Sequence, residues 1–134
     1  MAQKYLLDTN ICIFLLKDAY GVREKISQIG IENFAVSEIT IAELFYGACK
    51  STRKEDRLKD VERIMNRFAV LPIFPCLSLY GDIKASLESG GVRLDDFDLL
   101  IGATAVANAL VMVTDNVKHL GRIPDIILEN WIER

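Results

Sequence analysis

Five very short runs of unbroken apolar residues constrain this chain more than anything else in it. Tyr5-Leu6-Leu7, Phe34-Ala35-Val36, Val70-Leu71-Pro72-Ile73, Leu110 to Val113 and Ile126-Ile127-Leu128 carry no alternating polar positions. A strand with one wet face alternates apolar and polar residues, so runs like these suit strands buried on both faces. Between them lie segments with helical spacing: Ile11–Leu16, Val22–Ile29, Thr40–Cys49, Arg57–Phe68, Leu77–Leu87 and Asp98–Ala109. The Thr40 segment puts Ile41, Leu44, Phe45 and Ala48 on one face, and Gly90-Gly91 closes the Leu77 segment. Strands alternating with helices at short intervals predict an α/β fold, a mostly parallel sheet covered by helices on both faces. Sheets of this kind receive ligands outside the carboxyl ends of their strands, where the strand order reverses.

Length and composition agree with one such unit. The 134 residues make one domain, 1–134, large enough to bury about two-thirds of the surface the unfolded chain exposes. There is no linker, repeat or low-complexity segment, and the 51% apolar content excludes disorder. Cys12, Cys49 and Cys76 form no CxxC pair and lie among apolar neighbours, which reads as three small buried thiols. The amino terminus runs straight into a strand and then Asp8, unlike a signal peptide. The longest uncharged run, Leu99 to Thr114, is shorter than the ~20 residues that span a bilayer. A cytoplasmic protein with no membrane partner is therefore expected. The formal charge of -3 at first disfavours a nucleic-acid partner.

The acids are informative for where they fall. Asp8 directly follows the first strand, and Asp115 directly follows the Leu110–Val113 strand. Glu43 lies in the first turn of the Thr40 helix, and Asp98 opens the helix that feeds the strand before Asp115. Helices that follow parallel strands start at the same carboxyl edge, so all four carboxylates can converge there. Carboxylates held close together repel unless a proton or a cation intervenes. An all-oxygen donor set suits a hard ion, Mg²⁺ or Mn²⁺, which acidifies a bound water and neutralises a phosphodiester oxygen. Nucleophilic alternatives are poorly served. His119 is the only histidine, no serine or cysteine sits in a nucleophile elbow, and no phosphate-cradling glycine loop is present. Each acid also has an ordinary structural reading. Thr40–Glu43 has capping-box spacing, Asp95 or Asp98 can serve a helix start, Asp115-Asn116 is a common turn pair, and Asp8 is a helix cap.

Together these segments resemble a known family. Leu6-Leu7-Asp8-Thr9-Asn10-Ile11, Ser37 to Gly47 with its Ala42-Glu43-Leu44-Phe45-Tyr46-Gly47, Asp96 to Ala105, and Val113-Thr114-Asp115-Asn116 look like the PIN domain. More narrowly they resemble the VapC-type toxins of toxin–antitoxin pairs. The resemblance implies a three-layer α/β/α sandwich and a Mg²⁺-dependent endoribonuclease cutting single-stranded RNA to 5′-phosphate and 3′-hydroxyl ends. It also implies a homodimer held in check by a cognate VapB-type antitoxin. Asp8 and Asp98 match the metal-holding positions. Glu43 matches the acid that binds metal directly or through water. For the fourth catalytic position many relatives place the polar side chain two residues after the threonine. Here that place is Asn116 and the acid is Asp115, so Asp115 takes the role with Asn116 as its alternative. Asn116, Thr9 and Asn10 are the candidate substrate contacts. The competing reading is a PIN-fold module without turnover that binds RNA or a protein.

Two further features bear on substrate. Between Lys50 and Arg67 seven bases are interspersed with four acids, a pattern that makes surface ion pairs or a rim for an RNA backbone. Phe45 and Tyr46 read as core or interface rather than as stacking platforms. With the four site acids set aside, 15 acids face 16 bases, so the excess negative charge is concentrated in the proposed site itself.

Overall fold

Leu6 and Leu7 are adjacent in the chain, yet they are buried in different cores. The same split divides Ala35 from Phe34 and Val36, and Met112 from Val113. Successive side chains of a strand point to opposite faces, so each of these strands must have a covering layer on both sides. The structure, a computed structural model, describes residues 3–134. Its strands are β1 (Tyr5–Leu7), β2 (Phe34–Ser37), β3 (Ala69–Leu71), β4 (Val111–Val113) and β5 (Ile127–Glu129). Its helices are α1 (Thr9–Leu16), α2 (Val22–Ile29), α3 (Glu38–Cys49), α4 (Lys54–Arg67), α5 (Leu77–Ser89), α6 (Asp96–Ala107) and α7 (Val117–Leu120). All four strand pairings are parallel, in the order β3-β2-β1-β4-β5.

One core gathers Ile11, Val22, Ile26, Leu44, Val61 and Ile64 from α1 to α4 against Leu7, Val36 and Val113. The other packs Ile83 and Leu87 of α5 and Leu99, Ile101 and Ala103 of α6 against Leu6, Ala35 and Met112. This is the expected three-layer sandwich. Near its carboxyl end the chain closes the first core. Trp131 meets the rings of Phe34 and Tyr5 edge-on, with centroids 5.7 and 6.2 Å away. Among the described residues no helix is long and apolar enough to cross a membrane.

Several boundaries differ from expectation for local reasons. α3 begins at Glu38 because Ser37 Oγ accepts from the Ile39 amide, which places Thr40 inside the helix. The Thr40–Glu43 capping box therefore does not form, and Glu43 lies beyond the first turn. β3 stops at Leu71: Pro72 has no amide proton for a ladder, and the next amide, of Ile73, donates to Glu38 Oε1. α4 starts at Lys54 and α5 runs on to Ser89, while the short α7 has no periodic signal to announce it. Cys12 and Cys76 are buried, but Cys49 is exposed at the end of α3. Phe45 and Tyr46 also lie on the exposed side of that helix instead of in a core.

Candidate active site

The chain leaves β1 toward β2 and β3 on one side, then returns to place β4 and β5 on the other. β1 and β4 are thus the neighbours between which strand order reverses, and a cleft opens beyond their carboxyl ends. This cleft has a volume of about 490 Å³, and its wall includes Asp8, Thr9, Asn10, Glu43, Asp98, Asp115 and Asn116. Every residue proposed from sequence therefore lies in one place. Asp95, expected only as a helix cap, lines it too.

Asp8 sits deepest, 6% exposed. It caps α1, accepting from the Thr9 amide at Oδ1 (2.8 Å), and its Oδ2 accepts from Thr114 Oγ1 (2.8 Å). The ordinary reading of Asp8 as a cap is correct, and it is compatible with a site: a carboxylate fixed at both oxygens keeps lone pairs toward the cleft. Burial pushes the Asp8 carboxyl up, the two donors oppose that rise, and the charge of Asp115 adds to it. Thr114 also accepts from the Asn116 amide, so one hydroxyl ties the end of β4 to the start of α1.

Glu43 reaches the cleft from α3, where Thr9 Oγ1 donates to its Oε1 at 2.7 Å. Thr9 has one hydroxyl proton and spends it there, so Thr40 Oγ1, 3.0 Å away, is the donor to Thr9. The hydroxyl of Thr9, a candidate substrate contact, also holds an acid in position. Burial raises the Glu43 carboxyl, against the Thr9 bond, and Asp8 and Asp95 raise it further. Asp98 lies in the first turn of α6, which Asp95 caps by accepting from the Phe97 amide. Its pKa is pushed up to about 6, first by burial and then by Asp8, Asp95 and Glu43, with His119 pulling the other way. Asp96 faces outward to Lys84 and Tyr80.

The fourth position is divided. Asp115 lines the cleft, but its Oδ2 accepts from Arg134 Nη2 at 2.9 Å, while Asn116 Oδ1 is 2.8 Å from His119 Nδ1. Thr114, Thr40 and Arg134 are contributors that sequence reasoning missed. A threonine ending a buried strand was a usable signal for Thr114, whereas nothing local announces Arg134.

Among the described residues no three His, Cys, Asp or Glu side chains gather tightly enough to cage a metal. The donor chemistry nonetheless fits a hard cation. The donors are all oxygens, no basic residue among the described ones lines the cleft, and three carboxyls are destabilised as anions by burial and by the charge of neighbouring acids. Mg²⁺ ordinarily uses one or two carboxylates and keeps its waters, so an open, spread set of acids suits it better than a closed cage.

This fold is that of a known family. Residues 5–124 match the PIN domain, and the chain belongs to that family, among its VapC-type members. It is 36% identical over 130 residues to Ribonuclease VapC2 of Rickettsia felis, covering 95% of this chain and 97% of the relative. The same identity and length relate it to the tRNA(fMet)-specific endonuclease VapC of Salmonella typhimurium, over 96% and 98% of the two chains. The crystal structure of VapBC2 from Rickettsia felis bound to a DNA fragment from their promoter superposes with a TM-score of 0.88 at 34% identity, covering 98% of this chain and 99% of that one. DNA-bound VapBC from Salmonella typhimurium gives 0.89 at 36% identity, over 96% and 98%.

Proposed function

We infer that this protein is a Mg²⁺-dependent endoribonuclease, the toxin of a VapBC-type pair, acting on RNA as a homodimer and restrained by a VapB-type antitoxin. The observation that carries the reading is the convergence of Asp8, Glu43 and Asp98 from three different elements on one all-oxygen cleft at the switch point. The ribonuclease names of the VapC relatives and the VapBC structures support the substrate and the partner.

Asp8 and Asp98 would hold the cation, with Glu43 as a third ligand or bonded to its water, and Mn²⁺ is an acceptable substitute. When bound, the ion supplies charge neutralisation at the scissile phosphate and acidifies water. The remaining work belongs to the chain. Thr9 holds Glu43 Oε1 and leaves the second oxygen free to accept a proton from attacking water. Thr114 fixes Asp8, so the site is already formed before substrate arrives. Asp115 and Asn116 close the β4 side of the cleft, and Asn10 lies at its rim for the strand.

The test is incubation of purified protein with structured RNAs, with Mg²⁺ and with chelator. Cleavage is expected only with the ion, yielding 5′-phosphate and 3′-hydroxyl ends, and lost in Asp8→Asn and Asp98→Asn. Cutting that persists in chelator or in both variants sinks the metal mechanism. Retention of RNA without cutting in any divalent ion would instead make this a binding module.

A further inference from the structure

The acidic cleft continues past its carboxylates. A second groove of about 740 Å³ opens from it, with Thr9, Asn10, Glu43 and Asp95 as the wall common to both. Beyond that wall the lining changes character. Tyr46 of α3 and Phe97 of α6 line it and are 67% and 45% exposed. Gly47 lies beside Tyr46 inside α3, a position where glycine weakens a helix. A Cβ built there meets nothing within 4 Å, so packing does not require a glycine. What its missing side chain does is leave the groove open. At the rim, the Lys50 ammonium lies over one face of the Tyr46 ring, 4.8 Å from its centre, so a nucleobase would stack on the other face.

Two exposed rings, a cation and an open floor, continuous with a cleft suited to a phosphodiester, match one occupant well. Nucleobases stack on aromatic faces whatever their identity, and the cation meets the backbone. A paired base is already stacked within its duplex and cannot enter, so the occupant must be unpaired. We propose that this groove seats an unpaired nucleobase next to the scissile phosphate, stacked on Tyr46 and Phe97, with Lys50 meeting a flanking phosphate. The seat rests on the ribonuclease reading for the position of that phosphate.

The experiment measures binding and cutting separately. Binding is read by fluorescence anisotropy of a labelled ten-nucleotide unstructured RNA, in an Asp98→Asn background that prevents hydrolysis. Cutting of the same RNA is read in the otherwise intact protein. Tyr46→Ala and Phe97→Ala are each expected to weaken binding about 5- to 100-fold and to raise KM similarly, with kcat nearly kept, while Tyr46→Phe stays near wild type. Lys50→Gln should flatten the salt dependence of binding. Removing single bases along the RNA should reveal one position where the loss weakens wild type but leaves Tyr46→Ala no weaker than it already is. Light scattering and circular dichroism follow the mass and folding of each variant. Wild-type affinity in both alanine variants overturns the seat while leaving the nuclease reading intact. So does an affinity that falls only as dimer mass falls, because the surface would then be a contact between copies. RNA binding with the base coupling but no hydrolysis in the intact protein overturns the nuclease reading and leaves the seat. No RNA binding by the Asp98→Asn protein and no cutting by the intact one overturn both.

Discussion

Asp98 combines a half-buried carboxyl with three acidic neighbours, and its proton affinity follows from both. In the metal-free protein its carboxyl should titrate near pH 6, measurable by NMR. Cation binding needs the anion, so affinity for Mg²⁺ should fall as pH drops through about 6, seen by calorimetry between pH 5 and 8. The consequence for stability has the opposite sense. The folded carboxyl holds its proton to a higher pH than the ordinary aspartate value of 3.8, so metal-free stability declines as pH rises from about 4 through about 6. Asp98→Asn should therefore raise the metal-free Tm more at pH 8 than at pH 5. Thr114 tests a neighbouring claim. Thr114→Val keeps the shape but removes the donor to the buried Asp8 Oδ2, at a cost of about 1–3 kcal/mol in urea unfolding. It should also weaken Mg²⁺ binding, since an unfixed Asp8 is a poorer ligand.

The elements bring these residues together through their ends. Asp8 terminates β1 and caps α1, Ser37 terminates β2 and caps α3, and Asp95 caps the helix that carries Asp98. Asp95 has two separable effects, as a cap and as a negative charge beside Asp98 and Glu43. Asp95→Asn keeps the cap and removes the charge, so the Asp98 titration should move down with little change in Tm. Asp95→Ala removes both, and should cost about 1 kcal/mol while producing the same downward shift. Equal Tm values for the two variants would show that the cap contributes nothing. Two bases of α4, Arg57 and Arg63, both reach Asp60, and Arg53 just before the helix pairs with Asp56. The exposed Arg53–Asp56 pair contributes little to stability.

At the scale of the molecule, the site is a place where folding has accumulated negative charge. Its contributors come from β1–α1, α3, α6 and the end of β4, and only the complete sheet gathers them. A cation that binds the folded protein alone must stabilise it by mass action, by about 2.7 kcal/mol at a hundred times its dissociation constant. A Mg²⁺-dependent rise in Tm is expected for the wild type, and little or none for Asp8→Asn or Asp98→Asn. An equal rise in all three would place the ion elsewhere.

What the sequence determined by itself is what depends on neighbours in the chain. Unbroken apolar runs specify strands, and helical spacing specifies the covering helices, while an acid just after a strand specifies which sheet edge bears charge. The runs did not distinguish the doubly buried β1, β2 and β4 from the edge strands β3 and β5, where Val70 and Ile127 are exposed. Asp8 and Asp115 were legible from their places just after strands, and Glu43 and Asp98 from their places near the starts of helices. Only the tertiary structure decided what each one touches. Thr9 holds Glu43 because α3 brings Thr40 and Glu43 beside the start of α1. Thr114 meets Asp8 across 106 positions of sequence, and Arg134 meets Asp115 because Trp131 anchors the chain end against Phe34. Tyr46 was read as core or interface, and its exposure depends on what lies opposite α3. Spacing records which residues share a face; what that face meets is fixed by packing between segments distant in sequence.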